Sequence, residues 1–336
     1  YDSYGKEQGY NAPVSKKAEF YYTTALNMLL KSDENRVTLG NTTLLFWAEP
    51  NTISEEEAAD AESAVKALIY GSKSVRDKKA DFGVRNAKNI FEAIFNGRIP
   101  TGTGDKFCVL GIAPNKARLS VVFWKRGTIK EIAGNIYQYL EDVKLDSYND
   151  EITPSIYDIL RASEYQGKME NVPPNMIPAM VYSVFNMTPF PSSVFGRIME
   201  RIRAEKNPTG TRVAFLKAYL NRKYRNIKGA EIGVALDTDN KDTVYRLGRL
   251  FAVLEKVQEE GDSNIGATIH NKFFNAISST PAAVLPILMK LHNYHLKRLT
   301  TSRSMYFNQL IDSIFHDLEQ GAIPQHIPLE KQCDFI

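Results

Sequence analysis

Every apolar pattern beyond about residue 150 repeats at helical spacing, and every alternating, β-branched one lies before it. That break in period restricts the chain to an α+β protein whose sheet is built early and whose remainder is helix packed on helix. Helical patterns cover 153–163, 175–186, 191–206, 211–224, 241–260, 281–300 and 303–319. The clearest runs from Asp242 to Glu260, with Leu247, Leu250, Phe251, Leu254 and Val257 on one face and Gly261 to end it. In the last, Tyr306, Phe307, Leu310, Ile311, Ile314 and Leu318 repeat the pattern. The pairs Pro173-Pro174 and Pro189-Phe190-Pro191 fall in the connections.

Before the break the signals alternate. Ser15 can cap a helix reaching residue 31, with Phe20, Thr23, Thr24, Asn27 and Leu30 near helical spacing. Residues 36–48 read as a hairpin turning at Gly40-Asn41. Ser54-Glu55-Glu56-Glu57 is a capping-box pattern opening a helix to residue 70. Lys106–Ala113 and Ala117–Trp124 form a second hairpin, with Pro114-Asn115 as its turn. Alternation there puts Leu119, Val121 and Phe123 on one face and Ser120, Val122 and Trp124 on the other. A helix follows from Ile129 to about Glu141. The predicted fold is a mixed α/β domain with β-hairpins over 1–150, then an all-α helical bundle over 151–336, joined at Leu145-Asp-Ser-Tyr-Asn-Asp-Glu151.

Chemistry is sparse. Cys108 and Cys333 are far apart and no CxxC pair exists, which argues against a thiolate zinc site and suits a reducing cytoplasm. His292 and His295 sit at helical spacing without a third ligand. Gly102-Thr-Gly104 lacks the Lys-Ser/Thr of a phosphate loop and is followed by a strand. Asp237 and Asp239 could share a metal ion, or could simply cap the helix behind them. No apolar run spans a bilayer, and the polar start from Tyr1 to Tyr10 is not a signal peptide. The first residue is not Met, so the sequence reads as part of a longer polypeptide.

The net charge is only +3, but it is unevenly spread. Residues 49–62 carry six acids and no base; residues 197–228 carry ten bases against Glu200 and Glu205. A basic stretch of this kind is either a surface that meets phosphate or a solvated helical face. Within it Tyr219 and Tyr224 interleave with Lys217, Arg222, Lys223 and Arg225, either as stacking platforms or as bundle core.

The same residues resemble a family. Val109-Leu-Gly-Ile-Ala-Pro-Asn-Lys-Ala-Arg-Leu-Ser-Val121 with Phe123-Trp124, Glu170-Asn-Val-Pro-Pro-Asn175, Thr188-Pro-Phe-Pro191, Tyr245-Arg-Leu-Gly-Arg-Leu-Phe-Ala252 and Ser279-Thr-Pro-Ala-Ala283 with His295-Leu296 occur in order along the chain. They resemble the middle and C-terminal parts of the large subunit of type I-C CRISPR Cascade, the Cas8c or Csd1 family. Val122 and Tyr294 depart from the family's pattern, which more often has an arginine and a histidine there. The family's N-terminal domain is expected to be missing. The resemblance implies a cytoplasmic, non-enzymatic subunit of an RNA-guided antiviral complex that needs no cofactor or metal. It implies that the subunit supports target DNA recognition and duplex opening and holds the displaced strand of the R-loop. Implied partners are Cas5, Cas7 and Cas11 type subunits, the guide RNA, target DNA and a recruited Cas3 helicase-nuclease. A small-subunit-like part is expected from about residue 187, with Met180, Met187 and Met199 as possible starts. The residues expected to meet nucleic acid are Lys116, Arg118, Lys125, Arg126, Arg212, Lys217, Arg222, Lys223, Arg225, Lys228, Arg246 and Arg249. Arg222, Lys223 and Arg225 are expected just past a helix end and exposed, while Arg246 and Arg249 could instead pair with Asp242 or Glu255. The rival functions are a metal-dependent nuclease using Asp237 and Asp239, and a purely structural helical scaffold.

Overall fold

The structure, a computed structural model, describes residues 14–71, 80–116, 118–147, 150–225, 227, 231–262, 266–319 and 323–336. The fold is α+β, in two compact units. The first comprises Tyr1–Glu141, Thr153–Arg161 and Lys168–Pro191; the second comprises Asp142–Ile152, Ala162–Gly167 and Ser192–Ile336. The division is not the single cut near residue 150 that periodicity suggests, because the chain leaves the first unit and returns to it twice.

The first unit is built on an antiparallel meander, β1 (Arg36–Leu39), β2 (Thr42–Glu49), β3 (Lys106–Asn115) and β4 (Arg118–Thr128), in that order. Gly40 turns the first hairpin at φ 53°, a conformation only glycine adopts cheaply, and β1 and β2 pair as Leu39 with Thr42. The second hairpin differs from expectation. Pro114 and Asn115 are paired strand residues, opposite Leu119 and Arg118, and the turn falls at Lys116, whose φ is 54°. Proline is tolerated at this position because β2 pairs with β3 only as far as Ile112, so Pro114 faces no β2 partner that would need its missing N–H. Ala117 lies outside the described residues.

One sheet face is packed by Leu44, Phe46, Phe107, Val109 and Phe123. Phe123 meets Tyr182 and Phe185 of the helix Met176–Asn186. A β-bulge between Gly111 and Ile112 leaves Val122 as the extra residue on β4. The predicted alternation therefore breaks. Phe123 is buried, whereas Leu119 and Val121 emerge with Trp124 on the other face.

Around the sheet stand α1 (Lys16–Lys31), α2 (Glu55–Tyr70), α3 (Ala80–Phe95), α4 (Ile129–Val143), α5 (Ile156–Ala162) and α6 (Met176–Asn186). Ser15 caps α1 by accepting the Ala18 amide, and Ser54 and Glu57 form the expected capping box on α2. Helix α3 lies outside the elements that the sequence pattern predicts. Between β2 and β3 the buried Asp105 carboxylate accepts the amides of Asn51, Thr52, Ile53 and Gly102 at 2.5–3.3 Å. Burial pushes its pKa up, but those four donors outweigh burial and hold it at about 2.

The second unit holds a short hairpin, β5 (Leu145–Ser147) and β6 (Asp150–Ile152), within the stretch read as a linker. Its helices are α7 (Ser192–Glu205), α8 (Gly210–Lys223), α9 (Thr243–Gly261), α10 (Ile269–Ser279), α11 (Pro281–Leu296) and α12 (Thr301–Glu319). Helix α9 is central, and its predicted apolar face, Leu247 to Val257, is buried against α11 and α12. The Asp242 carboxylate caps it by accepting the Val244 and Tyr245 amides. Helix α10 was not anticipated. Among the described residues no helix is long and apolar enough to cross a membrane.

Candidate nucleic-acid interface

In the first unit the sheet face opposite Phe46 and Phe123 carries an apolar and aromatic row, buried at β2 and β3 and exposed along β4. Strand pairing sets Leu45, Leu110 and Trp124 side by side, with Trp47, Cys108 and Arg126 in the next rank. The Trp47 and Trp124 rings lie 5.8 Å apart, and Trp124 is 51% exposed. Leu119 and Val121 continue the row toward the hairpin tip. Lys116 in the turn and Arg118 at the start of β4 are both exposed, without an acidic partner among the described residues. Lys125 and Arg126 are tied to carboxylates: Lys125 to Glu131 at 2.7 Å and Arg126 to Glu49 at 2.6 Å. The Arg126 guanidinium holds the Glu49 carboxyl below its ordinary range. The buried Cys108 thiol beside them is pushed up to about 12, mainly by burial, and is not a nucleophile. An aromatic pair with flanking guanidinium and ammonium groups can stack bases and meet phosphate. Trp47 was missed in the sequence because its neighbour, Trp124, is brought to it only by β3 between them.

The basic stretch of the second unit is largely neutralised from a distance. Arg222 was expected just past a helix end and exposed; it lies instead in the last turn of α8, its side chain 2% exposed, with Nε 2.5 Å from Asp142. The α8 apolar face rotates Arg222 inward, so burial is tolerated only with that carboxylate. Arg212 is also buried; it pairs with Glu205 at 2.6 Å and donates to the carbonyls of Ala162 and Asn207. Lys217 is buried as well. Arg197 makes a fork to the buried Glu164 at 2.5–2.6 Å. Lys223 pairs with Glu330 at 2.6 Å, and Arg225, more exposed, lies 3.7 Å from Asp142. Lys228 lies outside the described residues.

The interleaved tyrosines are structural. Tyr219 is stacked on Phe195 with centroids 4.4 Å apart, and the Tyr224 hydroxyl donates to Glu330. Arg246 and Arg249, expected to meet phosphate or to pair with Asp242 or Glu255, both reach backbone oxygens of the preceding loop. Their guanidiniums donate to the carbonyls of Asn240 and Thr238 at 2.9 Å, bracing the loop before α9. In that loop Asp237 accepts the Asp239 amide at 3.0 Å, the geometry of a local turn. His292 and His295 point into the bundle, and Gln258 bonds His295 at 3.2 Å. Among the described residues no group of three or more His, Cys, Asp or Glu side chains is arranged to hold a metal ion.

No curated protein matches the chain. The family model described as CRISPR-associated protein (Cas_Csd1) matches it over residues 1–336.

Proposed function

The chain belongs to the Csd1 family of CRISPR-associated proteins, and on that basis we propose that it is the non-catalytic large subunit of a type I-C Cascade, an RNA-guided surveillance complex of antiviral defense. Its work in this reading is to support target DNA recognition and duplex opening and to hold the displaced strand. Sequence is read by guide pairing, as in single-protein RNA-guided effectors, so the protein needs positive surface and shape more than base-reading side chains. Cas5, Cas7 and Cas11 type subunits and the guide RNA are its partners, and cutting belongs to a recruited Cas3 helicase-nuclease.

The family match over the whole sequence carries the reading. This sheet face is compatible with it, since Trp124 is exposed against a half-buried Trp47, and Lys116 and Arg118 are exposed at the hairpin tip. The test reconstitutes the complex with guide RNA and measures affinity for target duplex at several salt concentrations. Lys116→Ala/Arg118→Ala should lower the salt slope by about two, and Trp124→Ala should weaken binding roughly five- to a hundred-fold. With magnesium present, the complex without Cas3 should leave the DNA uncut. Unchanged affinity and slope in normally assembled variant complexes would contradict the role of this face. Cleavage that disappears on Asp237→Ala would contradict the non-catalytic assignment.

A further inference from the structure

Between α8, α9 and the segment 328–336, the second unit holds a cleft of about 860 Å³. Leu145, Val213, Leu216, Leu220, Ile232 and Leu236 give it aliphatic walls. Leu216 and Leu220 are buried, whereas Leu236, in the loop before α9, is 68% exposed. A cleft of this volume with predominantly apolar walls has the dimensions of a small-molecule site. Nothing in the nucleic-acid role proposed above uses it.

The charged groups around the cleft are mostly matched within the fold. Glu330 accepts from Lys223 at 2.6 Å and from the Tyr224 hydroxyl. Lys331 bridges Asp242, at 2.7 Å, and Asp334. Glu231 is exposed on the rim, where water solvates it, and Lys217 is buried in the α8 wall. Arg249 differs from all of these. It lines the cleft half-buried on α9, and one of its nitrogens donates to the Thr238 carbonyl at 2.9 Å. No carboxylate pairs with it among the described residues. A guanidinium is always charged and carries five N–H donors, of which that bond uses one. Aliphatic walls beside an unmatched cation complement an alkyl chain that ends in an anion.

We propose that this cleft binds an alkyl carboxylate of the fatty-acid class, its chain against the aliphatic walls and its carboxylate on Arg249. Each methylene taken out of water should raise affinity about fourfold. The charged hydrogen bond to the guanidinium selects the carboxylate over an alcohol of the same length. A leucine-rich protein segment is the rival occupant; it would fill the walls, but its backbone brings no anion to Arg249. Alkyl binding is independent of the subunit role proposed above, and either can hold without the other.

The experiment titrates the purified full chain by isothermal calorimetry with decanoate, octanoate and decanol, each below its aggregation limit. The variants are Arg249→Gln, Ala252→Trp and Leu236→Asp, each with a melting curve. Decanoate should saturate at one equivalent per chain, octanoate should bind roughly fifteenfold more weakly for its two missing methylenes, and decanol roughly tenfold more weakly than decanoate for want of the charged contact. Arg249→Gln should erase the preference for decanoate over decanol while leaving decanol binding intact, a result that mere loosening of the fold would not give. Ala252 is an exposed residue of α9 that lines the cleft, so Ala252→Trp should fill it and abolish binding of all three. Leu236 is exposed as well, so Leu236→Asp should weaken binding without lowering the melting temperature even if the tryptophan variant is destabilised. The proposal is overturned if decanoate does not bind saturably, if Arg249→Gln keeps the preference, or if Ala252→Trp and Leu236→Asp both bind like wild type. Binding of a leucine-rich peptide amide that Ala252→Trp blocks, with no binding of decanoate, would overturn it in favour of the protein segment.

Discussion

At the residue scale, charge sign was readable in the sequence and charge availability was not. Arg222 and Asp142 are eighty positions apart, and so no local tally shows that one neutralises the other inside the fold. The same holds for Arg197 with Glu164 and Lys223 with Glu330. By contrast, the exposed lysines of 263–311 lie where no acid is near in sequence, and none has a carboxylate partner among the described residues. The histidine pair carries a prediction of its own. Burial lowers the pKa of both His292 and His295, and for His295 the Arg298 charge adds to it. His292 Nε2 and His295 Nδ1 are buried without a hydrogen-bond partner among the described residues, so protonating either ring puts a charge into the bundle. Folded pKa values below the unfolded value mean that the unfolded chain binds more protons in the window between them. The stability they contribute is complete above the unfolded pKa of about 6.5 and is lost as pH falls through it toward the folded values. The melting temperature should therefore drop between about pH 8 and about pH 5.5, and drop less in His292→Gln. A melting temperature that is flat or rises on acidification, measured by calorimetry, would contradict this.

At the element scale, long periodic helices were legible and irregular backbone was not. The α9 apolar face was read residue by residue because five large aliphatic or aromatic side chains repeat on it. Helix α10 escaped notice because its polar residues interrupt the pattern and Pro281 begins the next helix two residues after it ends. Strands of three residues, as in β5 and β6, are too short to show alternation. Nothing local marks Val122 as a bulge, yet that one residue sends Phe123 into the core and brings Trp124 out beside Val121 and Leu119. Gly248, within the Tyr245–Ala252 motif, shows why a motif can be structural. A Cβ placed there would stand 2.1 Å from the Phe335 carbonyl oxygen, so the helix can accept the 331–336 segment only with glycine. Phe335 in turn packs between Phe251 and Phe274. Gly248→Ala should force that segment off α9 and cost about 1–3 kcal/mol, lowering the melting temperature by several degrees. An unchanged melting temperature, with the segment still protected from hydrogen exchange, would show that the packing is looser than this.

At the scale of the whole molecule, the sequence led to the right class and family but a simpler division of the chain. The mixed sheet-and-helix part and the helical part both exist, but α6 belongs with the sheet, and residues 142–152 and 162–167 count with the later helices. Those two short pieces bring Asp142 and Glu164, the carboxylates that neutralise Arg222 and Arg197. A fragment beginning at Met187 lacks both, which could not be foreseen from where the helical periodicity begins. The central claim is that the chain works as a subunit that holds nucleic acid within a CRISPR RNA-guided complex. The most direct measurement co-expresses it with a guide RNA and Cas5, Cas7 and Cas11 type subunits, purifies through a tag on this chain, and compares target-DNA affinity of the complex with and without it. The account predicts that a small RNA and several copies of the backbone subunit co-purify, and that omitting the chain weakens target binding by tenfold or more, as loss of a multi-phosphate surface should. Purification of the chain alone, free of RNA and backbone subunits, together with a complex that binds its target equally well without it, would contradict the claim.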